Sequence, residues 1–165
     1  MDNKPIISAA LAYDEPMTGE VVILVVHNAI LIDEMDNNLL CPMQLRMNDV
    51  KVDECPRYLA DNPDDNSHSI RFPNDENFLI PLYLHGVTSY FNTRKPTQAE
   101  YQTCRQIEMT YDLPHWNPHS LTFAEQEENY LDSFGRTRVP ESSHRFHNRR
   151  LCLVQNSLSM IAAES

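Results

Sequence analysis

Seven histidines and four cysteines are the first residues that could do chemistry in this chain of 165 residues, and metal binding is the chemistry they would do. His115 and His119 have three residues between them, and His144 and His147 have two. A structural zinc site of this kind also needs a close Cys pair, and no C-x2-C accompanies either couple. Pro114 and Pro118 bracket His115, so one helical face cannot present both rings of the first couple. Loop histidines account for them better, and no metal ligand is assigned. Cys41, Cys55, Cys104 and Cys152 are widely spaced, which fits reduced thiols in an intracellular protein better than a disulfide framework.

Other site chemistries meet similar obstacles. No G-x-S-x-G elbow supplies a serine nucleophile, and no cysteine lies in a protease-like context. Gly19, Gly86 and Gly135 are too scattered to cradle a phosphate. Carboxylates are plentiful, but an aspartic dyad needs two of them about 3 Å apart sharing one proton. Each would sit in an Asp-Thr/Ser-Gly turn, and the chain has no such tripeptide. Asp132-Ser133-Phe134-Gly135 comes nearest, with one residue too many, and reads as a helix end. Asp14, Asp33 and Asp49 read as turn or element-end residues. The expectation is therefore no catalytic, cofactor-binding or metal residue, and no cofactor.

The elements that would position any site are mainly strands. Ile6–Tyr13 and Val21–Ile32 read as a long hairpin around "DEPMTGE", the second strand apolar enough to be covered on both faces. Asn37-Asn38 makes a turn, and Pro42 suits the first position of a short helix over 42–47, which would turn Met43 and Met47 the same way. Val50–Val52 resumes strand character. Residues 53–77 are the loosest region around one strand, Ser69–Phe72. Residues 78–91 give two β segments meeting near His85-Gly86, with Pro81 at an edge or bulge. Thr97-Gln98-Ala99-Glu100 and Thr122-Phe123-Ala124-Glu125 both fit capping boxes, which predicts helices over 98–105 and 123–134. The second would stripe Phe123, Tyr130, Leu131 and Phe134 and stop at Gly135. "QIEMTY", 106–111, alternates like a strand between them. The result is an α+β, mainly β fold, with one body over 1–135 and a disordered basic tail over 136–165.

Charge follows that division. Residues 1–135 hold 8 Lys/Arg against 22 Asp/Glu (−14), and residues 136–165 hold 5 against 2 (+3). An overall −11 makes a nucleic-acid surface on the body a poor expectation. Val21–Ile32 is about half the roughly 20 residues of a helical membrane span and is broken by His27-Asn28. No export signal is legible in "MDNKPIISAALAYDE". A cytoplasmic protein without membrane attachment is expected.

One stretch carries a likeness. "HNAILIDEMDNNLLCPMQLR" resembles a segment of polyproteins of copia-type and related retroelements, in which a strand runs into Asn-Leu-Leu, a small residue and Gln-Leu after a retropepsin-like protease motif. "FLIPLYLHGVTSYFNTRKPTQAEYQTC" and "HWNPHSLTFAEQEENYLD" resemble the same open reading frames, so the likeness covers residues 6–134. It implies a partial retropepsin-like β domain, with the first hairpin as the flap region and Leu39–Met47 as the turn and helix behind the active site. The family's Asp-Thr/Ser-Gly would lie upstream of the hairpin, so no catalytic residue carries over. No Tyr-x-Asp-Asp of a reverse transcriptase and no His-His-Cys-Cys of an integrase is present. The tail departs from the family pattern, and a solvated basic end or a frameshifted replacement would each explain it. The implied function is a non-catalytic remnant of such a polyprotein, which would associate with itself or with another polyprotein segment. Two alternatives stand beside it. One is an aspartic endopeptidase whose catalytic segment lies upstream, and the other an acidic interaction module using its strand edges and the Tyr/Phe-rich residues 83–91.

Overall fold

The computed structural model describes residues 4–32, 35–113, 117, 120–138 and 161–164. His115, His119, His144, His147, Asp33 and Cys152 lie outside the described residues. The chain divides into two bodies, Met1–Tyr111 with Ser159–Ser165, and Asp112–Leu158.

In the first body the mainly β, α+β class holds, as three small sheets. Strands β1 (Ile6–Asp14) and β2 (Val21–Ile30) form the expected antiparallel hairpin. Its connection is closed by the Glu15 carboxylate, which accepts from the Met17 and Thr18 amides. Strand β2 is central. Its other edge pairs in parallel with β9 (Arg105–Thr110), so Val22, Ile23 and Leu24 are fully covered.

Strands β4 (Lys51–Asp53), β5 (Ser69–Phe72) and β6 (Phe78–Pro81) make an antiparallel sheet in that order. Pro81 accordingly sits on an edge strand, where its missing N–H breaks no ladder. The remaining sheet has the order β3 (Asn38–Leu40), β10 (Ile161–Glu164), β8 (Thr88–Asn92), β7 (Tyr83–His85). Gly86 and Val87 connect β7 to β8, and Gly86 takes φ +61°, a conformation that costs glycine nothing. Ile161–Glu164 is thus a strand within the residues expected to form a tail. A short apolar stretch can join a sheet through backbone bonds alone.

Helix α1 (Pro42–Met47) has Pro42 at its start, as read from sequence, and turns Met43 and Met47 to solvent. Helix α2 (Gln98–Thr103) carries the capping box of Thr97 and Glu100. It stops short of the expected residue 105 because Cys104 is already extended (φ −80°, ψ 157°) and feeds β9. A single core spans the sheets of this body. Leu24 and Ile107 meet Leu45, Ile70, Phe72, Ile80 and Phe91 there, and the Tyr13 ring stands edge-on to Phe78 and Phe91. Burial holds the Tyr13 phenol up at about 12.

In the second body, α3 covers Leu121–Tyr130. Thr122 is therefore inside the helix and not its cap. The helix also ends before Leu131 and Phe134, which cannot share its stripe. The Asp132 carboxylate draws the chain away by accepting from the Phe134 and Arg136 amides. Leu131 then bridges to Thr137 across the turn. Gly135 (φ +76°) belongs to that turn and is not a helix C-cap.

Candidate functional site

Two irregularities in the central sheet bring three polar side chains into a row. Between the pairs Ile7–Ala29 and Ala9–Val26, Ser8 of β1 faces two residues of β2, His27 and Asn28. Asn28 absorbs the extra length at φ +55°, a conformation Asn tolerates better than most residues. On the other side the register slips again, and Met109 is the extra residue of β9.

The bulge takes His27 out of the regular ladder, and the buried Thr110 hydroxyl replaces what is lost. It accepts from the His27 amide at 2.8 Å and donates to the His27 carbonyl at 2.9 Å. The imidazole is thereby held with Nδ1 2.8 Å from Ser8 Oγ and Nε2 3.7 Å from Glu108 Oε1. Ser8 is exposed, and the His27 and Glu108 side chains are 18% and 55% exposed.

Hydroxyl, imidazole and carboxylate stand in the sequence of a nucleophile, base and orienting acid. The distances leave that arrangement incomplete. At 3.7 Å the carboxylate is beyond hydrogen-bond reach and does not fix the ring. What fixes the ring is its own backbone, through Thr110. The Ser8–His27 contact and the two Thr110 bonds together cross-link three adjacent strands. Composition hides the cross-link because its members lie far apart in sequence. The one legible signal is the polar pair His27-Asn28 inside an otherwise apolar strand.

A second Ser–His pair is buried. His68 Nε2 lies 2.9 Å from Ser89 Oγ, and both residues are under 9% exposed. The Ser89 hydroxyl also donates to the Glu54 carbonyl at 3.5 Å. A hydroxyl spent on that carbonyl accepts from Nε2–H, the opposite of general-base activation. Burial depresses the His68 pKa, with the Asp53 charge opposing and the Arg57 charge assisting. The pair ties the start of β5 to β8.

The Asp14 and Asp132 carboxylates have partners of their own. The Asp14 carboxylate is held by Arg94. Asp49 occupies a left-handed turn after α1 (φ +63°), and Asp132 organises the turn after α3. Among the described residues no three His, Cys, Asp or Glu side chains cluster as metal ligands, and Cys41, Cys55 and Cys104 form no disulfide. No helix among them is long and apolar enough to cross a membrane. In the segment expected to be an interaction face, Tyr83 (46% exposed) stacks at a tilt on Tyr90, 5.7 Å between centroids, and Val87 in the hairpin turn is fully exposed. No family model, no curated protein and no solved structure matches the chain.

Proposed function

We propose that the chain is a non-catalytic segment of a retroelement-type polyprotein that performs no aspartic proteolysis. The commitment of its carboxylates supports this reading most directly. Asp14 is paired with a guanidinium, and Asp132 accepts bonds from its own turn. Those bonds lower the Asp132 pKa, whereas a dyad must share a proton between two convergent acids. The sequence likeness over residues 6–134 supplies the ancestry. The test is incubation of the purified chain with a peptide library at acidic and neutral pH, with and without a pepstatin-type inhibitor. No cleavage and no inhibitor-induced rise in melting temperature are expected. Inhibitable cleavage that vanishes on replacing Asp14, Asp49 or Asp132 would overturn the reading. Reading the flanking DNA in all frames tests ancestry separately, through the presence or absence of an in-frame Asp-Thr/Ser-Gly.

A second reading, an interaction module, is favoured by the exposed Tyr83 and Val87 on the edge hairpin β7–β8. A Tyr83→Ser, Val87→Ser double variant that keeps its fold and every binding partner of the parent would remove that support.

A further inference from the structure

Among the described residues, no strand covers the outer edge of β1 over Ile6–Ala10. In an antiparallel strand, alternate residues turn both backbone groups toward the neighbour, and those between turn them away. The Pro5 carbonyl accepts from Leu31, and the Glu15 amide donates to Glu20, so the odd residues face β2. Ala12 exchanges both its groups with Arg94 on the far side, at 2.8 and 2.9 Å. Because the extra bulge residue is on β2, β1 keeps its alternation, and Ile6, Ser8 and Ala10 face outward with Ala12. Among the described residues only β2 pairs with β1 as a strand, and Arg94 covers Ala12 alone.

Natural edges are usually blunted by a charge, a proline or a bulge in the edge strand itself. "IISAALAY", Ile6–Tyr13, has no charge and no proline, and its bulge belongs to its neighbour. We propose that this edge pairs with the same edge of a second copy, antiparallel about a two-fold axis at Ser8. That register sets Ile6 opposite the second copy's Ala10 and Ser8 opposite its own equivalent. Each outward-facing pair exchanges two backbone hydrogen bonds. The two three-stranded sheets become one continuous sheet.

Symmetry selects a copy as the occupant, at an edge whose Ile6–Tyr13 segment carries no charge of its own. An isologous contact also needs a self-complementary patch, which backbone groups spaced evenly about Ser8 provide. The Ser8 hydroxyls meet at the axis already tied to their own His27 rings, so the polar row of each sheet runs on into the other. The patch is small, which gives a concentration-dependent equilibrium and not an obligate dimer. The inference is independent of the retroelement reading.

Sedimentation velocity of the full chain over a concentration series tests it, with Ser8→Pro and Ser8→Lys alongside. Proline at position 8 removes an outward N–H and leaves the backbone bonds to β2 in place, and lysine sets two ammonium groups against each other on the axis; both also remove the Ser8–His27 side-chain bond. The parent should shift from monomer to dimer as concentration rises. Both variants should remain monomeric where the parent is half associated, with unchanged circular dichroism. Amide exchange at Ser8 and Ala10 should slow with concentration, and at Ile7 and Ala9 it should not. A parent that stays monomeric, variants that dimerise like it, or dimerisation without protection at Ser8 and Ala10 would each overturn the proposal. Should Ser8→Pro fail to fold, Ser8→Lys and the exchange pattern decide.

Discussion

Arg94 grips Asp14 through two parallel hydrogen bonds, Nε to Oδ2 at 2.9 Å and Nη2 to Oδ1 at 2.8 Å, from 80 residues away in the chain. The same guanidinium holds Glu100 through Nη1 and Nη2 at 2.9 and 2.7 Å. Glu100 is also the acid of the α2 capping box, so one side chain links the end of β1 to the start of a helix.

Arg94→Lys should therefore lower the melting temperature, because an ammonium cannot form two forks at once. The loss should be modest, since the pairs are partly exposed, and should shrink as salt is added. A thermal-unfolding cycle with Asp14→Asn should be non-additive. Additive effects would mean that the two residues act separately.

Acid should act on the same clasp. The Arg94 guanidinium, followed by the Thr97 amide and hydroxyl, lowers the Glu100 carboxyl from 4.5 to about 2. A depressed folded pKa gives a contribution that is complete above pH 4.5 and is lost as pH falls through about 2. Urea unfolding from pH 5 to pH 2 should show a shallower fall for Glu100→Gln than for the parent. Equal slopes would remove Glu100 from the account.

Truncating the central strand should be far more damaging. Ile23 is fully buried on β2 between two paired strands. Ile23→Ala should cost about 2–5 kcal/mol, and Val87→Ser, at a fully exposed turn, less than about 0.5 kcal/mol. Chemical denaturation of both variants would show similar midpoints only if β2 were not the centre of the core.

The buried pair gives a fourth test. Ser89→Ala leaves His68 Nε2 without its partner and should cost about 1–3 kcal/mol. His68 has a folded pKa below its ordinary 6.5, so its contribution is complete above that pH and is lost as pH falls below it. His68→Gln should reduce the slope of stability between about pH 7 and pH 5 relative to the parent. An unchanged slope would show that the imidazole titrates alike in both states.

Strands and turns were largely legible because their signals are local. The alternation in 106–111, the apolar run of β2, the proline opening α1 and the capping box at Thr97 are each read within a few residues. The helix at 121–130 was placed late because a Thr-x-x-Glu pattern can occur inside a helix as well as at its start. Its end was placed late because the Asp132 turn, and not Gly135, stops it. The Ser8–His27–Glu108 row was illegible, since it depends on register slips in two ladders, one with a partner strand some 80 residues away. His68 and Ser89 were equally out of reach, because nothing around either residue says that the start of β5 will meet a strand of another sheet.

The parallel pairing of β2 with β9 has a consequence during synthesis. When β2 leaves the ribosome it can close its hairpin with β1 at once, but its second edge must wait for Arg105–Thr110. At about 5–20 residues per second, that is a delay of several seconds. During that interval the most apolar strand of the chain presents Val22, Ile23 and Leu24 on an unpaired side of a nascent hairpin. Holdase chaperones recognise such a surface. The yield of folded protein should therefore respond to elongation rate and chaperone supply more than to its final stability.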